Sequence, residues 1–357
     1  MRIALLGDIG LFGRNTVADG SYQKRMARAK ESLEGFDYVI GNLETPLTNA
    51  TRVVGGKSAY IKGAPEDVEI LRWLGVTHVS LANNHMFDYR ERGLVETIDV
   101  LESSGIGWYG ANGCSTVLEG ADGTVALHGY CCYSTNGKGL ECGDTCVNVL
   151  DPRKMESDLD SDAATGRYPI LSCHWGQEHV HYPNYDHVKL SRRILSNREA
   201  LIHGHHPHVI QGMEKVGEAL VAYSLGNFCF DDVYTDKSKE PLIRLSQDNK
   251  ETFVLEIEID GSSLVEHSIL PLSFVDDCYS VDERIGQRLN AWSDLLEVPE
   301  DEYNVTRAKE LSDYLLSRKK LRDFEWYLKR MNIESVRMIA GSRRNAKRYS
   351  SLFSSFI

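Results

Sequence analysis

Four histidines fall within the six residues 203–208, inside the stretch "LIHGHHPHVIQG" that covers residues 201–212. Imidazole is bulky, titratable and a poor core filler, so this density points to metal ligation or proton transfer. Of the chain's 12 histidines, eight lie between His174 and His208, far more than an even scatter would put there. Similar donors close apolar runs elsewhere: Asp8; Asn42 and Glu44; Asn83, Asn84 and His85; His174 and Glu178; His205, His206 and His208; and Asn227. One carboxylate after a strand is ordinary turn chemistry. A lone histidine is usually a hydrogen-bonded structural residue. Five or six strand ends that all offer oxygen or imidazole nitrogen call for a shared cause. Carboxylate, amide oxygen and imidazole together suit a borderline-hard divalent ion, Mn²⁺, Zn²⁺ or Fe²⁺, present as one ion or two.

The histidine turn carries its own geometry. Pro207 fixes its φ and pushes His206 away from helix, and Gly204 permits a close backbone approach. In an extended segment His206 and His208 face one side and His205 the other. Such a turn presents two imidazoles to a metal and a third, His206 for instance, to orient a ligand, while His203 packs within its strand. Asn227 and Ser224 are placed to support the site by hydrogen bonding. Trp175 is read equally as pocket wall or as packing; Trp73, Trp108 and Trp292 are read as packing, and Tyr182 and Pro183 as ordering the loop after His174.

The elements that must position these residues alternate. Apolar runs at 2–8, 36–44, 75–85, 167–176, 199–206 and 219–228 read as strands buried on both faces. Between several of them, residues 25–34, 65–75, 92–105 and 185–197 carry helical spacing with Gly or Asn stops. Strand–helix alternation predicts an α/β domain whose ligands gather beyond the carboxyl ends of parallel strands. Residues 124–134 read as another strand, and 252–272 alternate around Asp260-Gly261 as an antiparallel hairpin. From 276 to 357 the pattern predicts a helical extension. Glu300, Asp301 and Glu302 mark a helix start, and Leu321, Phe324, Leu328 and Met331 recur at helical spacing with a basic opposite face.

In six of these segments the chain resembles the capsule-synthesis CapA family, named for poly-γ-glutamate capsule production. They are "GDIGLFGR" (7–14), "GNLETPLT" (41–48), "LANNHMFDYRERGL" (81–94), "HWGQEHVHYP" (174–183), "GHHPHVIQGME" (204–214) and "YSLGNFCF" (223–230), in the family's order over residues 1–275. The family is related to calcineurin-like metallophosphoesterases. The resemblance therefore implies a four-layer α/β/β/α sandwich with a divalent metal centre, followed by the helical extension. It implies Asp8, Glu44, Asn84, His174, His205 and His208 as ligands, His85 as the proton-handling residue, and Glu178 and Arg14 near the substrate. Three positions depart from the phosphoesterase pattern: Gly10 stands for a histidine, Asn42 for an aspartate, and Gly204-His205-His206-Pro207-His208 for Gly-His-x-His. Ligand assignment within that triplet stays open.

A divalent ion can lower the pKa of bound water to about 7, and a histidine with an ordinary pKa near 6.5 suits protonating a leaving alkoxide. The resulting expectation is a metal-dependent hydrolase of phosphoester or related anionic substrates, connected with capsule or surface-polymer biosynthesis. Amide hydrolysis of a γ-glutamyl polymer is a close variant. A non-catalytic capsule-assembly component that binds an anionic polymer is the reading from a different class.

Composition sets the outer limits. A formal charge of −12 over 357 residues argues against nonspecific nucleic-acid binding. No apolar stretch reaches the roughly 20 residues of a bilayer span, and "MRIALLGDIG" lacks a secretory pattern, so a cytoplasmic location is expected. Eight cysteines then read as free thiols. Cys131, Cys132, Cys142 and Cys146 lack a paired C-x-x-C, which fits buried thiols better than structural zinc. Between Arg318 and Arg348 the chain has eleven Lys/Arg against three Asp/Glu. That basic segment can fold back on the acidic main body, contact an acidic partner, or lie on anionic lipid as a peripheral contact.

Overall fold

The N-terminal run forms strand β1 (Arg2–Ile9), whose side chains divide between two cores. Ile3 and Leu5 enter one shared with Leu127, Ile170, Leu201 and Leu220 of a second sheet. Ala4 and Leu6 enter another, filled from helices. This is the period-two division of a strand covered on both faces. The computed structural model describes residues 1–135, 137, 145–235, 238–320 and 333–356. Cys142, Leu321, Phe324, Leu328 and Met331 lie outside them.

Among the described residues two main sheets form. In the first, β1 lies beside β2 (Tyr38–Leu43), β3 (His78–Ser80) and β4 (Gly107–Tyr109), all parallel. In the second, β5 (Thr116–Gly120) borders β6 (Gly123–Cys131), which continues in parallel through β7 (Tyr168–His174) and β8 (Leu201–His205). Beyond β8 come β9 (Met213–Val216) at the edge and β10 (Ala219–Ala222) inside it. A short β11 (Asn227–Cys229) returns to β1, and β12 (Val233–Thr235) pairs with β13 (Ser238–Ile243). The antiparallel hairpin read at 252–272 is β14 (Glu251–Asp260) with β15 (Ser263–Val275), extending the first sheet from β1.

Helices α1 (Tyr22–Ser32), α2 (Val68–Leu74) and α3 (Arg90–Ser103) cover the first sheet through Met26, Ile70, Leu71, Leu94 and Leu101. Helices α4 (Pro152–Ala164) and α5 (Tyr185–Leu195) cover the second through Met155, Leu159, Val188 and Ile194. The result is a four-layer α/β/β/α sandwich. Helix α4 escaped the periodicity reading, although Asp151-Pro152 is a sound start signal. The Asp151 carboxylate accepts the Arg153 N–H at 2.9 Å, with proline in the first turn.

The segment after 276 does not begin as helix. Strand β16 (Cys278–Val281) pairs with β15 and completes the first sheet, because Tyr279 and Val281 still find apolar neighbours there. Helix α6 (Arg284–Asp294) buries Ile285 and Leu289 between the sheets. Helices α7 (Glu300–Lys320) and α8 (Ile333–Ser354) contribute Tyr303 and Phe353 to the outer core of the second sheet. The later part of α8 and the residues after it fold back on the body: Tyr349 donates to Asp186 at 3.1 Å, and Arg193 lies 4.1 Å over the Phe356 ring. Its first part, with Ile333, Val336 and Ile339, is exposed. No helix among the described residues is long and apolar enough to cross a membrane.

Candidate metal centre

Two rungs of the sheets bring the donor residues together. In the first sheet, Asp8 of β1 registers with Asn42 of β2 on one side and Asn227 of β11 on the other. In the second, His174 of β7 registers with His205 of β8. Parallel strands end at one edge, so donors at their carboxyl ends share it. Gly204 makes the last step possible: a Cβ there would stand 1.9 Å from the Tyr223 carbonyl oxygen. His203 packs within its strand and spans the two sheets, its Nε2 lying 2.8 Å from the Leu6 carbonyl.

The turn after β8 is not extended. His206 and His208 take φ values of 96° and 57°, in the left-handed region that side chains beyond glycine rarely occupy. All three imidazoles are thereby gathered instead of splitting between two sides. His205 Nδ1 is 3.2 Å from Asp8 Oδ1. His208 lies 3.5 Å from Asp8 Oδ2 through Nδ1 and 3.7 Å from Glu44 Oε1 through Nε2. His174 Nε2 is 3.6 Å from Glu44 Oε1 and 2.9 Å from Asn84 Oδ1. The Asn42 amide donates to Asp8 Oδ1 at 2.8 Å and lies 3.2 Å from His174 Nδ1.

Two donor triads result, Glu44–His174–His206 and Asp8–Glu44–His208, each with ligand atoms within 4.8 Å of one another. Glu44 belongs to both. Both Glu44 oxygens and both His205 ring nitrogens are buried without a hydrogen-bond partner, and a buried orphan carboxylate is costly unless a cation compensates it. Donor set and orphaned atoms fit a divalent ion. His206, expected to orient a ligand, also offers one donor atom of the first triad.

The crowding shifts the titrating groups in both directions: burial would lower the His208 imidazole, but the Glu44, Asp8 and Glu178 carboxylates raise it. Burial pushes the Glu44 carboxyl up to about 8, with Asp8 and Glu178 adding to the effect. Burial acts the same way on Asp8, but the close imidazoles of His205, His208 and His174 outweigh it and hold that carboxyl below its ordinary range. Burial drives His174 well below its usual value and His206 to about 3, leaving neutral rings with lone pairs to offer.

His85 sits just outside the triads. Its Nδ1 is 2.7 Å from Asp88 Oδ2, which leaves Nε2 outside that pair. Lys57 contacts Asp88 and donates to the Asn84 carbonyl at 2.8 Å. Neither Lys57 nor Asp88 was singled out from sequence. The "NHMFD" spacing could have revealed Asp88, one turn from His85, but nothing local marks Lys57, which arrives on a distant loop. Arg14 is held by Asp231 at 3.1 Å and Asp277 at 3.0 Å, so anion binding there competes with two carboxylates. Glu178 stands at the rim; desolvation would raise its carboxyl, but His206, His179, His208 and His85 hold it down at about 2. Asn227 Oδ1 lies 2.9 Å from His208 Nδ1, and Ser224 donates to the Val209 carbonyl at 2.8 Å.

Trp175 is packing and not pocket wall: it is fully buried on the helix side, stacked 4.7 Å from His187. Cys131 and Cys132 are free and buried in different clusters. Burial pushes their thiols up to about 12 and about 11, which disfavours thiolate ligation.

Fold and donor cluster together define an α/β/β/α sandwich with oxygen and imidazole donors gathered at one edge of its sheets. Residues 2–232 match the family model described as bacterial capsule synthesis protein PGA_cap, and the chain belongs to that family. It is 25% identical over 247 residues to the capsule biosynthesis protein CapA of Bacillus anthracis, covering 63% of this chain and 58% of that protein. It is 28% identical over 218 residues to the PGA biosynthesis protein CapA of Bacillus subtilis, covering 58% and 57%. The chain thus spans a little over half the length of these curated relatives. Among solved structures, the calcineurin-like phosphoesterase YfkN from Bacillus subtilis aligns with a TM-score of 0.45 at 16% identity, over 82% of this chain and 96% of that one. A putative 5'-nucleotidase from Staphylococcus aureus aligns at 0.45 and 13%, over 82% and 59%.

Proposed function

We propose that this chain is a metal-dependent hydrolase of phosphoester or related anionic substrates, acting in capsule or poly-γ-glutamate-like surface-polymer biosynthesis. The observation that carries it is Glu44: a fully buried carboxylate with both oxygens unpartnered, shared by two donor triads. Asp8, Glu44, His174, His206 and His208 would hold the metal, Mn²⁺, Zn²⁺ or Fe²⁺, with Asn84 and His205 beside them. When bound, one or two such ions supply Lewis acidity for activating water and polarising the ester. The protein's own groups do the rest. His85, oriented by Asp88 through Nδ1, presents Nε2 to give a proton to a leaving oxygen. Lys57 locks that pair in place. Glu178 and Asn227 border the space a substrate would enter, and Asn227 also fixes the His208 ring.

The test is direct. Purified protein is loaded with Mn²⁺, its metal content measured, and a panel of chromogenic phosphodiesters offered. Turnover above that of the Asp8→Ala/His174→Ala double variant is expected; metal retention without such turnover refutes the hydrolase.

One observation favours a non-catalytic, polymer-binding role in capsule assembly. A side chain at Gly10 would stand 2.7 Å from both Phe12 and Phe230, so aromatic packing occupies the place where phosphoesterases carry a histidine. A single tightly held ion with no turnover of phosphodiester or γ-glutamyl amide is the outcome expected of that role. Turnover of the amide alone would assign the amide-hydrolase variant.

A further inference from the structure

Helix α7 lies beyond the residues matched by the family model, yet it reaches His179, which neighbours the donor cluster. One of its faces runs back along the loop after β7. Tyr303 donates to the Pro183 carbonyl at 2.9 Å, Arg307 Nε to the Tyr182 carbonyl at 3.1 Å, and Glu310 accepts the His181 N–H at 3.0 Å. The next turn sets the Tyr314 ring 5.0 Å from that of His179. Spacings of three and four residues keep all four on one helix face, so successive turns meet successively earlier residues of the loop.

His179 is the hinge between this helix and the metal ligands. It is held at φ 61°, with its N–H on the Pro207 carbonyl at 2.7 Å and its ring 6.3 Å from His208. One turn past Tyr314, Arg318 donates to the Tyr314 hydroxyl at 3.3 Å, its guanidinium 5.9 Å from that ring. Burial lowers the His179 imidazole to about 4, and the Arg318 charge contributes to the shift. Among the described residues no carboxylate pairs with Arg318, whereas Arg14 is taken up by Asp231 and Asp277 and Lys57 by Asp88. A guanidinium already steadied by a tyrosine loses little freedom on binding, and its planar fork matches two oxygens of one anion.

We propose that Tyr314 and Arg318 form a subsite for an anionic group, carboxylate or phosphate, on an extended substrate whose reacting bond lies at the donor cluster. The proposal rests on that cluster being the reaction site. Two ring-to-ring steps, Tyr314 to His179 and His179 to His208, separate the subsite from the ligands. A single small anion therefore cannot engage both, and a chain of anionic groups can.

The test measures binding to the Mn²⁺-loaded full chain with three probes: a fluorescein-labelled oligoglutamate, an inorganic polyphosphate and orthophosphate. Arg318→Ala is expected to weaken at least one extended probe by on the order of 10-fold, with orthophosphate binding unchanged. Loss confined to oligoglutamate assigns a carboxylate ligand; loss confined to polyphosphate assigns a phosphate. Tyr314→Leu, expected to act in the same direction, carries the same test should Arg318→Ala melt below the parent. Equal affinity of variant and parent for both extended probes overturns the subsite. So does failure of the parent to bind either one, or a parallel loss of orthophosphate. Phosphodiester turnover is assayed separately. Arg318-dependent binding without turnover sinks the hydrolase and leaves Tyr314 and Arg318 as a binding site for an extended anion alone; turnover with Arg318-independent binding sinks the subsite and keeps the hydrolase.

Discussion

His174 Nε2 and Asn84 Oδ1 meet at 2.9 Å, and this contact joins the two sheets at the site. His174 ends β7 in the second sheet, while Asn84 follows β3 in the first. Neither sheet holds a complete donor triad, so the centre forms only when the layers pack. Metal binding and sheet packing should accordingly stabilise one another.

Asn42 bridges Asp8 and His174 and orients both. Asn42→Ala should lower metal affinity by about 10–100-fold, as removal of an orienting partner commonly does. Equilibrium dialysis against Mn²⁺ measures it, and undiminished affinity would assign the amide no such role.

His85 and Asp88 should separate catalysis from metal binding. His85→Ala is expected to reduce phosphodiester turnover by about 10²–10⁴-fold with metal content kept at the parent level. Asp88→Asn, which keeps the shape but weakens the hold on Nδ1, should lose less. Parent-level rates in both variants would remove His85 from the chemistry.

Acid should destabilise the fold through His187. Burial, aided by the Arg307 charge, lowers this imidazole to about 3, against an ordinary value of about 6.5 in the unfolded chain. Between those values the unfolded state takes up a proton that the folded state refuses, so stability falls as pH drops and is unaffected above about 6.5. Urea midpoints at pH 7.5 and pH 5 should differ less in His187→Phe than in the parent. Identical differences would clear His187 as the cause.

Phe353 fastens α8 to the second sheet from a position 4% exposed. Phe353→Ala should cost about 3 kcal/mol, read from urea unfolding. A loss below about 0.5 kcal/mol, the range of ordinary surface positions, would mean that α8 is not anchored there.

Much of the fold was legible in local pattern. Apolar runs such as residues 2–8 are strands because both faces need covering, and the Asp260-Gly261 hairpin follows from alternation around a turn. The donor types at strand ends were legible too, since Asp8, Asn84 and His174 each stand directly after or at the end of such a run. Strand β16 and helix α4 were not, because four residues are too few to show a period and α4's buried face is thin.

The sequence alone determined the α/β alternation, the class of donor atoms at the strand ends and the basic character of the C-terminal segment, all properties of residue type and near-neighbour spacing. Tertiary structure alone decided which donors converge. The positive φ angles of His206 and His208, the capture of Arg14 by Asp231 and Asp277, and the approach of Tyr314 to His179 depend on contacts between residues far apart in the chain. Local spacing cannot encode them, because each is set by how packed layers place one backbone against another.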